Sequence, residues 1–152
     1  MASRDKKDLN ELCVSAHEKA AAEYKDLYPT DPQPFIVCTH RSEQEQAALF
    51  NQPTDGVDNN GNGVIDDKGE KVTQAKPGQS PHNFLPSPAW DIAFINVRQK
   101  LDYNIELFKK YAELVKKHQP LIEWGGDWKF KDAPHFQLKD WRKFVTNQNQ
   151  IT

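Results

Sequence analysis

Long apolar runs are missing from this 152-residue chain. No stretch approaches the roughly 18 apolar residues of a membrane span, and Met1-Ala2-Ser3-Arg4-Asp5-Lys6-Lys7 leads into an amphipathic helix without an apolar signal core. Synthesis and retention in a cytoplasm are therefore expected. Cysteine is scarce: Cys13 falls on a predicted helix and Cys38 in an apolar strand, which points to buried free thiols rather than a disulfide. Net charge is small, with 20 basic against 22 acidic residues and a formal charge of -2, which argues against a general nucleic-acid binder. Between Arg98 and Lys143, however, Lys and Arg outnumber Asp and Glu, as would suit an anionic polymer. Internal repeats are absent, and the length suits one core, so residues 1–152 are read as a single domain.

What is present is aromatic bulk. Four Trp, four Tyr and eight Phe supply core material for a small mixed fold despite a mean hydropathy of -0.85. From Asp5 to Tyr28, Leu9, Leu12, Cys13, Ala16 and Ala20 recur at helical spacing until Pro29, Pro32 and Pro34. His17 lies off that stripe and is expected in solvent. Pro34 to Thr39 reads as a buried strand, and Ser42-Glu43-Gln44-Glu45 as a capping box opening a short helix through Phe50. Arg41 then sits between a strand end and a helix start, either as an anion site or as a surface ion pair. Asn104 to His118 carries the stripe Leu107, Phe108, Tyr111, Leu114 and Val115 of a further helix, with His118 as a cap residue. Lys139 to Val145 offers a last helical turn holding Trp141 and Phe144.

Residues 53–70 break the pattern. With Asp58 as position 1 of a calcium loop, Asn60, Asn62, Val64 and Asp66 fall at positions 3, 5, 7 and 9, and Gly63 at 6. Position 12 is Gly69, so closure falls to Asp67 or Glu70. A weak calcium site is expected here, in a loop over 58–70. Lys71 to Ala75 reads as a short strand that follows it.

Two further segments carry metal chemistry. Ser80-Pro81-His82 precedes Ala89-Trp90-Asp91, and Asp132 stands three residues before His135 in Glu123-Trp124-Gly125-Gly126-Asp127-Trp128-Lys129-Phe130-Lys131-Asp132-Ala133-Pro134-His135-Phe136. Asp91 alternates with Ala93 and Ile95 against Trp90, Ile92 and Phe94, as in a strand buried on both sides, where a carboxylate is costly unless paired or metal-bound. His82, Asp91 and His135 make a two-imidazole, one-carboxylate set that leaves a zinc ion one open position.

These segments, with Ala75-Lys76-Pro77-Gly78-Gln79-Ser80 and His82-Asn83, resemble the zinc peptidases of the M15 (VanY-like, hedgehog-fold) group, and most closely the phage endolysins that act as L-alanyl-D-glutamate peptidases. The family's Ser-x-His-x-x-Gly-x-Ala-x-Asp is lengthened here by the turn Leu85-Pro86-Ser87-Pro88. The resemblance implies an α+β fold, a small antiparallel DD-peptidase-like sheet with packed helices. It implies zinc on His82, Asp91 and His135, and Asp132 as the base through the family's acid-x-x-His spacing, with Glu123 as the competitor. It tips Arg41 toward substrate or intermediate charge, because the family carries an arginine in a Tyr-Arg-Ser setting. His40 replaces that tyrosine, either as a pocket residue or as a plain substitution, and Ser80 joins the substrate-binding residues. The implied activity is hydrolysis of the L-Ala–D-Glu bond of the murein stem peptide, with host lysis. The alternatives are a D-Ala-D-Ala carboxypeptidase or dipeptidase and a non-catalytic murein-binding module. The implied setting is a monomer in the host cytoplasm, reaching periplasmic peptidoglycan after release through a holin.

Overall fold

The computed structural model describes residues 2–51 and 75–145. The calcium-loop residues Asp58, Asn60, Asn62, Val64 and Asp66, and all but Ala75 of the strand expected from Lys71 to Ala75, lie outside the described residues. The elements in chain order are α1 (Glu11–Leu27), β1 (Gln33–Cys38), α2 (Glu43–Phe50), β2 (Ala89–Ile95), β3 (Leu101–Asp102), α3 (Ile105–His118), β4 (Ile122–Trp124) and β5 (His135–Leu138). All strand pairs are antiparallel, in the order β1-β2-β5-β4, with β3 also on β2. This is the expected α+β architecture. No described helix is long and apolar enough to cross a membrane.

Local chemistry starts and stops the helices as the sequence suggests. Asn10 accepts the Leu12 N–H at the start of α1 and Asn104 that of Glu106 at the start of α3. Ser42 and Glu45 exchange the reciprocal bonds of a capping box on α2, a device that stabilises a helix by about 1 kcal/mol. Residues 141–144 form a 3-10 turn rather than an α-helical one, with Trp141 buried against Phe84.

Period-two alternation splits β2 between two jobs. Trp90, Ile92 and Phe94 face α1 and α3, where Phe94 meets Phe108 and Tyr24, and Tyr111 meets Phe136 edge-on. Asp91 and Ala93 face the other way. The Asp91 side chain is 20% exposed, so the strand is not sealed on both sides as its sequence suggests. A bulge between Ile36 and Cys38 sets Cys38 opposite Asp91, and a bulge turns two consecutive side chains toward one face. Val37 and Cys38 thereby both reach the Asp91 side.

Two histidines differ from expectation. His118 is the last residue of α3 rather than its cap, and pairs with Glu23 of α1 at 2.7 Å. His17 is buried, not solvated, because α3 covers it: Tyr111 Oη lies 2.7 Å from its Nδ1 and also accepts the Trp90 indole N–H at 3.1 Å. The indole donates to the tyrosine oxygen, whose own proton remains available for a bare Nδ1 of a neutral His17. Burial accordingly lowers its pKa from 6.5 to about 4. Since the folded pKa lies below the unfolded one, this site costs nothing above pH 6.5, and stability is lost as pH falls from there toward 4. The loss from this residue amounts to about 3 kcal/mol. Urea unfolding should show wild type losing that much more than His17→Gln between pH 7 and 4, and equal losses would refute the coupling.

Candidate metal centre

His82 is delivered by a wired turn. Pro81–Asn83 is a 3-10 turn whose cap, Ser80, accepts the His82 N–H. Asn83 takes the N–H groups of Gly78 and Ser80 on its Oδ1 and donates to the Arg41 carbonyl at 2.8 Å. Gly78 adopts φ +78°, a conformation that favours glycine. Ser80 was expected to touch substrate; it is instead buried, with its hydroxyl committed to holding His82.

Hydrogen bonds then settle which ring nitrogens are bare. His82 Nδ1 lies 2.9 Å from the Thr39 carbonyl oxygen, which only accepts, so Nδ1 carries a proton and, in the neutral ring, Nε2 a lone pair. At His135, the register Glu123↔Gln137 and Asp91↔His135 builds a relay across β4, β5 and β2. Glu123 accepts from Gln137 Nε2 at 2.6 Å, which turns the amide oxygen to His135 Nε2 at 2.8 Å. His135 Nε2 is therefore the donor and Nδ1 is bare. Both rings have their second nitrogen fixed, the arrangement that orients metal-binding histidines.

Three lone-pair atoms consequently converge. His82 Nε2, His135 Nδ1 and Asp91 Oδ1 are separated by 3.2, 3.1 and 3.3 Å. A tetrahedral zinc ion with ligands at about 2.0–2.1 Å sets those atoms about 3.3 Å apart. The set needs a cation, either a proton or a metal. With a proton there, burial opposes charge on His82, but the Asp91 carboxylate outweighs it and lifts the imidazole to about 10. Asp91, despite burial that would raise it, is held far below the usual carboxylate range by His82 and His135. The residues present fit zinc by number, chemistry and spacing.

Cys38, His82 and Asp91 also lie close enough to share an ion. We favour the His135 set, because Cys38 Sγ faces His82 Nδ1 at 3.8 Å, the nitrogen already donating to Thr39. Cys38 and Cys13 are both free and buried, as expected, and burial pushes the Cys13 thiol well above its ordinary range.

Asp132 is held beside this centre by the turn before it. Gly125 O accepts the N–H groups of Trp128 and Asp132, and Asp132 O accepts that of His135. A Cβ on Gly125 would meet Asp132 O at 2.3 Å, and one on Gly126 the Trp124 ring at 2.2 Å. Both glycines are therefore required by close approach. Burial raises the Asp132 pKa and Asp91 adds to it, against His135, His82 and Arg41. No hydrogen bond to its carboxylate forms among the described residues, and Trp128 tilts over His135 with ring centroids 5.2 Å apart.

Arg41 reaches the same centre. Its guanidinium lies 3.8 Å from Asp91 Oδ2 and donates to Gln46 at 2.8 Å, and Gln46 is buried and anchored to the Ala75 carbonyl. The His40 Nε2 is buried, and burial, with His82 adding to it, lowers the His40 pKa against the charges of Asp8 and Glu45. Sequence reasoning missed Gln137, Gln46 and Asn83. Gln137 was the legible one, since alternation puts it on the His135 face. Glu123, expected as a rival base or a turn residue, lies in β4 and orients Gln137.

Residues 73–138 match the family described as D-alanyl-D-alanine carboxypeptidase, of the M15 peptidases. The chain superposes on the crystal structure of the Serratia marcescens L-Ala D-Glu endopeptidase ChiX with a TM-score of 0.61 at 19% identity, covering 96% of this chain and 93% of that one. No curated protein matches in sequence. The matched segment contains His82, Asp91, Asp132 and His135, and the fold is shared with that endopeptidase over nearly the whole chain.

Proposed function

We propose that this protein is a zinc-dependent peptidase of the murein stem peptide that cuts the L-Ala–D-Glu bond. The observation that carries the reading is the triangle of bare donor atoms on His82, Asp91 and His135, with spacings that suit one tetrahedral ion. When bound there, zinc would supply Lewis acidity, polarising a carbonyl and lowering the pKa of water toward about 7. Asp132 accepts the proton of the attacking water and passes it to the leaving amine, for which its burial-raised pKa suits it. Arg41, next to Asp91, neutralises negative charge on the substrate or on the tetrahedral intermediate. Gln137 and Glu123 hold His135 in register, and Ser80 and Thr39 hold His82.

The resemblance to phage endolysins extends the proposal to host lysis, with the enzyme made in the host cytoplasm and passed to the periplasm through a holin. A D-Ala-D-Ala carboxypeptidase is the second reading, favoured by the description of the matching family. Mass spectrometry of digested murein separates them. The expected result is release of peptides beginning at D-Glu, abolished by a zinc chelator and restored by zinc. Release of terminal D-Ala alone would establish the carboxypeptidase instead, and binding without any cleavage would leave a murein-binding module.

A further inference from the structure

The face that carries Asp91 continues into a groove that the metal centre does not use. It has a volume of about 490 Å³ and is lined by Asp91, Pro134, Phe35, Val37, Ala93, Leu101, Tyr103 and Arg4. Leu101 and Tyr103 are 52% and 63% exposed. Exposed apolar side chains grouped along a cleft mark a binding surface more often than a folding need.

Arg4 reaches this groove because the N-terminal segment is stitched to the end of β1. Ser3 donates its N–H to the His40 carbonyl and accepts that of Thr39, each at 2.7 Å. Thr39 Oγ1 donates to the Asp5 carbonyl at 3.1 Å, and Asp5 caps the turn Lys6–Asp8. Arg4 is thus fixed at its backbone on both sides. Its side chain is exposed, and no acidic group among the described residues pairs with it. A fixed backbone with an uncommitted guanidinium, at the rim of an apolar groove that opens onto the metal centre, is suited to reading a carboxylate.

We infer that the groove is a substrate subsite, in which the apolar walls take the peptide beyond the scissile bond and Arg4 binds one of its carboxylates. The inference rests on the peptidase reading above and names its specificity: an acidic peptide engaged away from the reacting atoms. Because Arg4 takes no part in the proton transfer assigned to Asp132, it acts on binding in the ground state and the transition state alike, and its loss should appear in KM with kcat nearly unchanged.

The test is hydrolysis of synthetic stem peptides, with each free carboxyl group amidated in turn, by the full wild-type chain and by Arg4→Gln. The substitution is expected to lower kcat/KM about tenfold on the all-acid peptide, through KM. Amidating one particular carboxyl should cost wild type the same factor and cost Arg4→Gln nothing further. Equal responses of the two proteins to every amidation, or an unchanged kcat/KM in Arg4→Gln, would overturn the subsite. Absence of hydrolysis of every peptide by the zinc-loaded wild type would instead overturn the peptidase reading on which it stands.

Discussion

His82→Ala, Asp91→Ala and His135→Ala are each expected to lose bound zinc and all detectable peptidase activity, while Cys38→Ala keeps both near wild type. Each of the three contributes one lone-pair atom to a triangle with edges of 3.1–3.3 Å, so removing one leaves a two-ligand site on a metal that is ordinarily held by three protein ligands when catalytic. Cys38 touches the far nitrogen of His82 at 3.8 Å, and its removal leaves the triangle intact. Metal analysis of the purified variants decides the matter. Full zinc occupancy in His135→Ala together with loss in Cys38→Ala would move the site to the thiol set.

Asp132→Asn should retain zinc and fold yet lose activity by roughly 10²–10⁴-fold, the usual contribution of a positioned general base. The amide is nearly isosteric, so the bonds that the Asp132 backbone makes with Gly125 and His135 are undisturbed. Glu123→Gln should be mild by comparison, because a glutamine oxygen can still accept the Gln137 N–H that the carboxylate accepts at 2.6 Å. Steady-state rates on murein peptides, with zinc content measured in the same samples, check both. A mild Asp132→Asn beside an inactive Glu123→Gln would transfer the role of base to Glu123.

The parts of this fold that were legible in the sequence are those governed by local rules. The capping box at Ser42, the stripe of α3 and the alternation of β2 all follow from residues a few positions apart, and the structure has them there. The acid and histidines of the centre were legible through resemblance, and the structure brings His82, Asp91 and His135 together. What was not legible depends on partners distant in sequence. His17 looked solvated because the residue that buries it, Tyr111, is 94 positions away. Ser80 looked like a substrate residue because nothing nearby shows that its hydroxyl is spent on the His82 N–H. Arg4 looked like a polar start, and only the pairing of Ser3 with Thr39 and His40 places it at a groove.

The pairing of β5 with β2 involves three residue pairs, Ala89↔Gln137, Trp90↔Phe136 and Asp91↔His135, and the last of these is also a donor pair of the metal triangle. An ion held there would act as a cross-link between the two halves of the sheet, fastening the β4–β5 hairpin to β2 from the outer face while Phe136 fastens it from within. Ligand binding to the folded state adds stability that rises with the logarithm of the free ligand concentration once this exceeds Kd. The edge hairpin, whose connection holds Asp132 and whose second strand carries His135, would therefore be the part of the molecule whose local opening tracks metal supply, and starvation for zinc would loosen the enzyme at its catalytic strand before the helical core.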